Sequence, residues 1–116
     1  MINENIIIKK IAVLYLKYGI KSVRIDDVAF MLGISKKTLY GIIENINSLI
    51  ETVVDYNLQT FYSKITSENH DENIIMNLCK IYSAVIREVK KINPSYIHDL
   101  KKYHTKLYHK IIRFRD

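Results

Sequence analysis

The sequence predicts an all-α protein, for three reasons. Only three glycines and one proline occur among 116 residues, so few positions favour turns. Apolar residues recur with the period that marks one face of a helix, and no stretch shows the alternation typical of a half-buried strand. Because 48% of the residues are hydrophobic, the chain can bury a modest core. We expect one compact domain, or a small domain with part of another.

The periodic segments are predicted to form six helices. The first runs from Asn3 to Tyr18, with Asn3 or Asn5 as its cap and Gly19 at its end in the left-handed conformation. The other segments are 25–32, ended by Gly33; 36–42, capped by Ser35; a long helix from Asn45 or Asn47 to about Ser67; 72–92, capped by Asp71; and 95–114, with a break near His104 and Thr105.

The fifth segment carries a pronounced apolar pattern. Its predicted core-facing residues are Ile75, Leu78, Cys79, Tyr82, Val85, Ile86 and Val89. A single cysteine cannot form an internal disulfide, and in NLCKIY we expect Cys79 to be packed in a reducing, cytoplasmic setting. The N-terminus lacks the layout of a secretory signal, and no run approaches the roughly 18 apolar residues of a membrane span. We therefore expect no membrane partner.

The net charge of +6 is unevenly distributed. Residues 1–46 carry seven Lys or Arg against four Asp or Glu, and residues 94–116 carry six against two, whereas residues 47–93 carry five against six. Basic ends attract polyanions such as nucleic acid. A lysine-rich solvated surface explains the charge equally well.

The stretch MLGISKKTLY, residues 31–40, has the layout of a helix-turn-helix. Two short helices flank a turn that contains Gly33, with Leu39 directed to the core. The outer face of the second helix then carries Ser35, Lys36, Lys37, Thr38 and Tyr40. Lysine can contact guanine acceptors or phosphates, threonine a thymine methyl group, and tyrosine a phosphate oxygen. These residues predict a DNA-binding surface.

Residues typical of catalytic or metal sites are not arranged as such sites require. His98, His104 and His109 include no pair four residues apart, which would place two metal ligands on one helix face. Asp26 and Asp27 are adjacent and favour the first turn of a helix. No nucleophile with its base and no phosphate-binding glycine loop is present. We expect no enzyme activity, metal or cofactor.

The stretch IIIKKIAVLYLKYGIKSVRIDDVAFMLGISKKTLY resembles the N-terminal DNA-binding domain of the TetR family of bacterial transcription regulators. The matching residues are Ala12, Tyr15, Gly19, Ser22, Asp27, Val28, Ala29, Gly33, Ser35, Lys36, Thr38, Leu39 and Tyr40. The resemblance covers roughly residues 6–58. It implies a three-helix, homeodomain-like domain in residues 1–46, in which Lys36, Lys37, Thr38 and Tyr40 contact DNA. It also implies that the protein is a repressor that binds a palindromic operator as a homodimer.

Four positions depart from the family pattern. Arg24 replaces a threonine that usually caps the second helix, although its charge can reach a phosphate. Gly41 follows Tyr40 in place of an aromatic residue and weakens the helix by about 1 kcal/mol relative to alanine. Ile46 and Asn47 stand where a lysine usually anchors the DNA backbone. Lys21 and Arg24 are the residues that can compensate for this loss.

The resemblance also implies that residues 47–116 form an incomplete antiparallel helical domain that binds a small-molecule effector and dimerises. Tyr56, Tyr62, Tyr82 and Tyr96 are candidates to line the effector pocket, although tyrosines at helical spacing also occur in cores. The chain is shorter than is usual in the family, and we expect the usual dimer surface to be missing. The alternative function is a helical protein-interaction module that retains the fold without operator binding.

Overall fold

The structure, a computed structural model, describes the backbone of residues 3–66 and 73–113 and the side chains as far as Ile111. Every regular element in these two ranges is an α-helix, which confirms the predicted fold class. The helices are α1 (Glu4–Tyr18), α2 (Ile25–Leu32), α3 (Lys36–Ile42), α4 (Ile46–Thr66), α5 (Ile74–Lys90), α6 (Pro94–Tyr103) and α7 (Thr105–Arg113). Within the described ranges, none of them combines the length and apolar character needed to cross a membrane.

Side-chain caps confirm the predicted starts of α1 and α4. The Asn3 side chain accepts a hydrogen bond from the backbone N–H of Ile6, and Asn45 accepts from the first turn of α4. The predicted break at His104 separates α6 from α7. Gly19 ends α1 with a positive φ of 88°, but its ψ of 166° places it outside the predicted left-handed helical region.

The start of α5 differs from the prediction. Its cap is Asn73, whose Oδ1 atom accepts hydrogen bonds from the backbone N–H groups of Ile75 and Met76. The predicted cap, Asp71, and the predicted first residue, Glu72, lie outside the described residues, as does Ser67 at the predicted end of the fourth helix. The helix ends at Lys90, two residues before the predicted end.

One hydrophobic cluster joins most of the helices. Helix α1 packs against α4 and α6, α2 against α3, and α7 against α6. The fully buried side chains of this cluster are Ile7, Ile11, Val28, Leu39, Val53, Val54 and Leu100. The cluster therefore holds the α2–α3 pair on the same core as α1, α4 and α6. The division into residues 1–46 and 47–116 stays a prediction.

Helix α5 contacts the rest of the fold through a face other than the predicted one, so the prediction of its inner face was wrong. It packs against α4 through a narrow face on which Ala84 and Glu88 are buried. Of the predicted core-facing residues, only Val85 is half-buried, whereas Ile75, Leu78, Cys79, Tyr82, Ile86 and Val89 are exposed. The apolar pattern correctly indicated a helix with an apolar face, but this face does not point toward α4.

Candidate nucleic-acid interface

The turn between α2 and α3 is closed by backbone hydrogen bonds. Gly33 adopts the left-handed conformation, with φ 69° and ψ 30°. Its N–H donates to the carbonyl of Phe30 at 3.1 Å, and the N–H of Ile34 donates to that of Ala29 at 3.1 Å. These two bonds form a Schellman motif, which a glycine at this position accommodates without strain. The turn therefore fixes the direction in which α3 leaves α2.

Helix α3 is oriented by one buried residue and one cap. Leu39 is fully buried in the core. The Ser35 Oγ atom accepts a hydrogen bond from the backbone N–H of Thr38 at 3.0 Å and lies 2.8 Å from the Thr38 hydroxyl. Because Leu39 points inward, Lys36, Lys37 and Tyr40 are exposed on the outer side. The candidate DNA-contacting residues of α3 thus share the solvent-facing side of this short helix.

Lys36 is not free within this surface. Its Nζ atom forms an ion pair with the Oδ1 atom of Asp26 at 2.8 Å. This hydrogen bond raises the pKa of Lys36 and lowers the pKa of the Asp26 carboxyl. A phosphate group would have to compete with Asp26 for Lys36. By contrast, Lys37 forms no ion pair with any described residue, and the Tyr40 side chain is 47% exposed.

The loop between α1 and α2 carries the other two candidate residues. Arg24 is exposed and occupies the cap position of α2 without a side-chain cap; instead, the Asp27 carboxylate accepts a hydrogen bond from the Arg24 backbone N–H at 3.3 Å. Lys21, in contrast, forms hydrogen bonds with two residues of α6. Its backbone N–H donates to Asp99 Oδ2 at 2.9 Å, and its Nζ atom donates to the Tyr103 hydroxyl at 2.9 Å.

These contacts on Lys21 also change its protonation equilibrium. The hydrogen bond between the two side chains raises the pKa of Lys21 and lowers the pKa of Tyr103. The Lys21 ammonium also lies 4.5 Å from the centre of the Tyr103 ring, within the range of a cation–π contact. The sequence did not predict this partnership, because the two residues are 82 positions apart.

Beside the candidate DNA-contacting residues lies one exposed aromatic residue, Phe30, that was not among the residues predicted from the sequence. The Phe30 side chain on α2 is 87% exposed, beside the turn that leads to α3. The pattern of α2 contained the signal, because an inner face formed by Val28, Ala29 and Leu32 leaves position 30 on the outside. Val28 and Ala29 are buried and Leu32 is half-buried, as predicted.

A cavity of about 670 Å³ lies between α1, α4, α5, α6 and α7. Its volume is within the usual range for small-molecule sites. Its wall is mainly apolar and includes Leu58, Phe61, Val89 and Ile97. Of the four candidate tyrosines, Tyr96 lines this cavity. Tyr56 borders a separate, shallower pocket, Tyr62 is half-buried and lines neither pocket, and Tyr82 is 68% exposed on α5.

Two polar features interrupt the apolar wall. The Asn57 side-chain amide donates to the Tyr96 hydroxyl at 3.3 Å and to the backbone carbonyl of Ala12 at 3.4 Å. Burial raises the pKa of Tyr96, so this hydroxyl is protonated at neutral pH and is both a donor and an acceptor. The second feature is Glu88, a buried carboxylate on α5 that also lines the cavity.

Glu88 is surrounded by cations. Lys91 lies 3.3 Å and Lys64 3.7 Å from its carboxylate oxygens, and Arg87 lies 3.7 Å away. Burial alone would raise the pKa of Glu88, but the hydrogen bond from Lys91 and the three positive charges outweigh burial and hold this pKa below its ordinary value. The cavity therefore has one fixed negative charge beside two lysines.

Comparison with known proteins shows a similarity to a transcriptional regulator. The chain is 27% identical over 85 residues to the uncharacterized HTH-type transcriptional regulator YvaF of Bacillus subtilis (strain 168). The match covers 72% of this chain and 45% of that protein, so the chain spans about half the length of the curated relative. No family model matches the sequence. No solved structure matches it either.

Proposed function

We propose that this chain is a sequence-specific DNA-binding transcriptional regulator, a ligand-responsive repressor of the TetR type. The observation that carries the proposal is the orientation of α3: Leu39 is fully buried while Lys37 and Tyr40 stand outward beside it. The similarity to a protein named as an HTH-type transcriptional regulator supports the same function.

In the proposed complex, α2 and α3 act as a helix-turn-helix and α3 enters the major groove. Lys37 is the residue best placed to reach base edges or phosphates, because no described carboxylate competes for it. Tyr40 supplies a hydroxyl group for a phosphate oxygen, and Arg24 supplies a charge at the start of α2. Ser35 and Thr38 bond to each other, so their first role is to hold the start of α3.

The cavity is the basis for the proposed response to a ligand, because it can hold a small molecule. Its volume of about 670 Å³ and its apolar wall fit a small, largely apolar molecule, with the Asn57–Tyr96 pair and Glu88 available for polar groups. Helix α6 connects the cavity to the DNA-facing side. One face of α6 lines the cavity through Tyr96, and another holds the loop after α1 through Asp99.

The proposed form on DNA is a homodimer. Helix-turn-helix proteins reach useful affinity by placing two copies on half-sites about one helical turn apart, so the operator is expected to be palindromic.

Selection of DNA from a random-sequence pool tests this function. The full chain is immobilised, and bound duplexes are recovered at about 0.15 M salt and sequenced over several rounds. We expect enrichment of one motif with inverted repeats. Recovery of duplexes with no common motif, or of none, would contradict sequence-specific binding.

The second candidate function is a helical protein-interaction module without operator binding. The apolar side chains that α5 exposes favour it. The same selection distinguishes the two functions, because an interaction module enriches no motif.

A further inference from the structure

Two lysine ammonium groups meet at one tyrosine at the end of α6, and Lys21, Lys102 and Tyr103 are here called the Tyr103 cluster. The Lys21 Nζ atom donates to the Tyr103 hydroxyl at 2.9 Å and lies 4.5 Å from the centre of its ring. The Lys102 ammonium lies 5.3 Å from the centre of the same ring. Hydrogen bonds from the two lysines, that from Lys21 first, lower the pKa of Tyr103. All three side chains are exposed to solvent.

No carboxylate neutralises the two ammonium groups. Neither lysine forms an ion pair with an acidic side chain in the part of the chain that the structure describes. Asp99 lies beside Lys21, but it is buried, its Oδ2 atom accepts from the backbone N–H of Lys21, and it raises the pKa of Lys21 less than Tyr103 does. Because both ammonium groups lie within 5.3 Å of one ring centre, they repel each other, and an anion at the hydroxyl attracts both.

The cluster carries the hydrogen-bond donors that a phosphate group needs. Each ammonium has three N–H groups, and Lys21 uses one of them on Tyr103. The Tyr103 hydroxyl accepts this bond and keeps its own proton for a further acceptor. Charged donors of this kind form short, strong hydrogen bonds to phosphate oxygens. We propose that the Tyr103 cluster binds a phosphate of the DNA backbone, outside the helix-turn-helix.

The position of Lys21 in the chain places the cluster next to the proposed DNA-facing side. Lys21 precedes Arg24, the residue at the start of α2, by three positions. The Cα atoms of these two residues are therefore at most about 11 Å apart. Phosphates of one strand follow each other at about 3.4 Å along the axis of the duplex. A strand that contacts Arg24 thus has further phosphates within reach of Lys21 and of Lys102 beside it.

The exposure of the cluster favours a phosphate of DNA over a free phosphate ion. Salt and solvent screen an open site, so it holds a single small anion weakly. On DNA, the contacts of α3 bring neighbouring phosphates to the cluster at a high effective concentration. This inference rests on the proposed DNA binding. The cluster supplies a backbone contact in place of the lysine that Ile46 and Asn47 replace, and it adds affinity without sequence preference.

Fluorescence anisotropy of the full chain at 0.05–0.2 M salt tests the contact, with the duplex recovered in the selection and with a duplex of unrelated sequence. Lys102→Gln should weaken binding to both duplexes by about 3- to 8-fold at 0.1 M salt and reduce the slope of log affinity against log salt by about 0.9. The matched control is Lys101→Gln, because Lys101 is also exposed but lies about 200° around α6 from Tyr103. Equal effects of the two variants would overturn the proposal.

Tyr103→Phe tests the hydroxyl separately from the charges. This variant keeps the ring beside both lysines but removes the group that Lys21 contacts. We expect about a two- to fivefold loss of affinity with an unchanged salt slope, because no charge is removed. The melting temperature should stay near that of the parent chain, since the side chain is exposed. An affinity equal to that of the parent chain would overturn the role of the hydroxyl.

Calorimetry with inorganic phosphate, without DNA, distinguishes the two sources of phosphate. We expect no saturation up to about 10 mM phosphate, because the site is open and screened. A saturable site that Lys102→Gln abolishes would assign the cluster to a free anion and overturn binding of the DNA backbone.

The failure of this inference differs from the failure of the proposed function. Motif enrichment by the parent chain, with equal effects of Lys102→Gln and Lys101→Gln, would overturn the Tyr103 cluster alone. A specific loss in Lys102→Gln on both duplexes, without any enriched motif, would support the cluster and overturn sequence-specific regulation. No binding of either duplex at 0.05 M salt would overturn both.

Discussion

The Nζ atom of Lys36 lies 2.8 Å from the Oδ1 atom of Asp26, so the first residue of α3 is paired with the second residue of α2. Both side chains are more than half exposed. The pair therefore contributes little to stability but holds a positive charge that DNA would otherwise attract. The proposed interface thus includes a carboxylate that competes with phosphate.

Asp26→Asn should strengthen DNA binding. Removal of the carboxylate frees Lys36 and removes a negative charge from the DNA-facing side, so we expect about a two- to fivefold gain in affinity at low salt. Fluorescence anisotropy with a labelled duplex measures the change. Glu4→Gln on α1 is the control, because it alters the net charge equally. Equal gains from the two variants would show that the Lys36–Asp26 pair has no specific effect.

Gly19→Ala should destabilise the fold more than Gly33→Ala. Gly33 is in the left-handed helical region, where an L-residue costs roughly 1–2 kcal/mol, and Gly19, at φ 88° and ψ 166°, is in a region that is essentially restricted to glycine. A Cβ atom at Gly33 has open space, whereas a Cβ atom at Gly19 would meet Ser95 and Asp99 of α6. Urea denaturation gives the free energy of unfolding of each variant. An equal loss at both positions would mean that α6 does not pack closely on Gly19.

The Asp99 carboxylate should contribute to stability as a hydrogen-bond acceptor. Asp99→Ala leaves the backbone N–H of Lys21 without its partner, and we expect a loss of about 1–2 kcal/mol in the free energy of unfolding. Asp99→Asn keeps a side-chain oxygen at this position and should retain most of the stability. Equal losses in the two variants would assign the role of Asp99 to its charge. Urea denaturation at neutral pH distinguishes these results.

Acid should remove the stabilisation that Glu88 provides. Because its folded pKa is lowered below the ordinary value of 4.5, its contribution is present above this value and is lost as the pH falls through the folded pKa. The melting temperature of the parent chain should therefore exceed that of Glu88→Gln at pH 7, and the difference should shrink below about pH 4.5.

The control for this pH series is Glu44→Gln, which changes an exposed glutamate between α3 and α4. Its melting temperature should follow that of the parent chain over the whole series. A difference between the parent chain and Glu88→Gln that stays constant with pH would show that the ion pairs with Lys64 and Lys91 do not stabilise the fold.

The features that depend on local chemistry could be predicted from the sequence. Ser35 was predicted as a cap because a serine before a helical segment can bond to its first turn, and Gly33 was predicted to end α2 because a glycine lies between two helical segments. The buried Leu39 and the break at His104 were also predicted correctly. These features involve residues within a few positions of each other.

Features that depend on distant contacts could not be predicted in this way. The period of α5 showed that the helix has an apolar face, but only the arrangement of α4 determines which side of α5 is covered. The pairing of Lys21 with Tyr103 joins residues 82 positions apart, and the ring of cations around Glu88 comes from two helices and a turn. Such contacts follow from the packing of helices, which periodicity does not specify.

The central claim, that the outer side of α3 binds DNA, is tested most directly by the affinity of Lys37→Ala for the selected duplex. Lys106→Ala, an exposed lysine on α7, is the control with the same change of charge. We expect Lys37→Ala to weaken binding by about 5- to 30-fold, which corresponds to roughly 1–2 kcal/mol. Lys106→Ala should change the affinity less than about twofold, and both variants should keep the helicity of the parent chain. Equal affinities of the two variants would contradict the assignment of this surface.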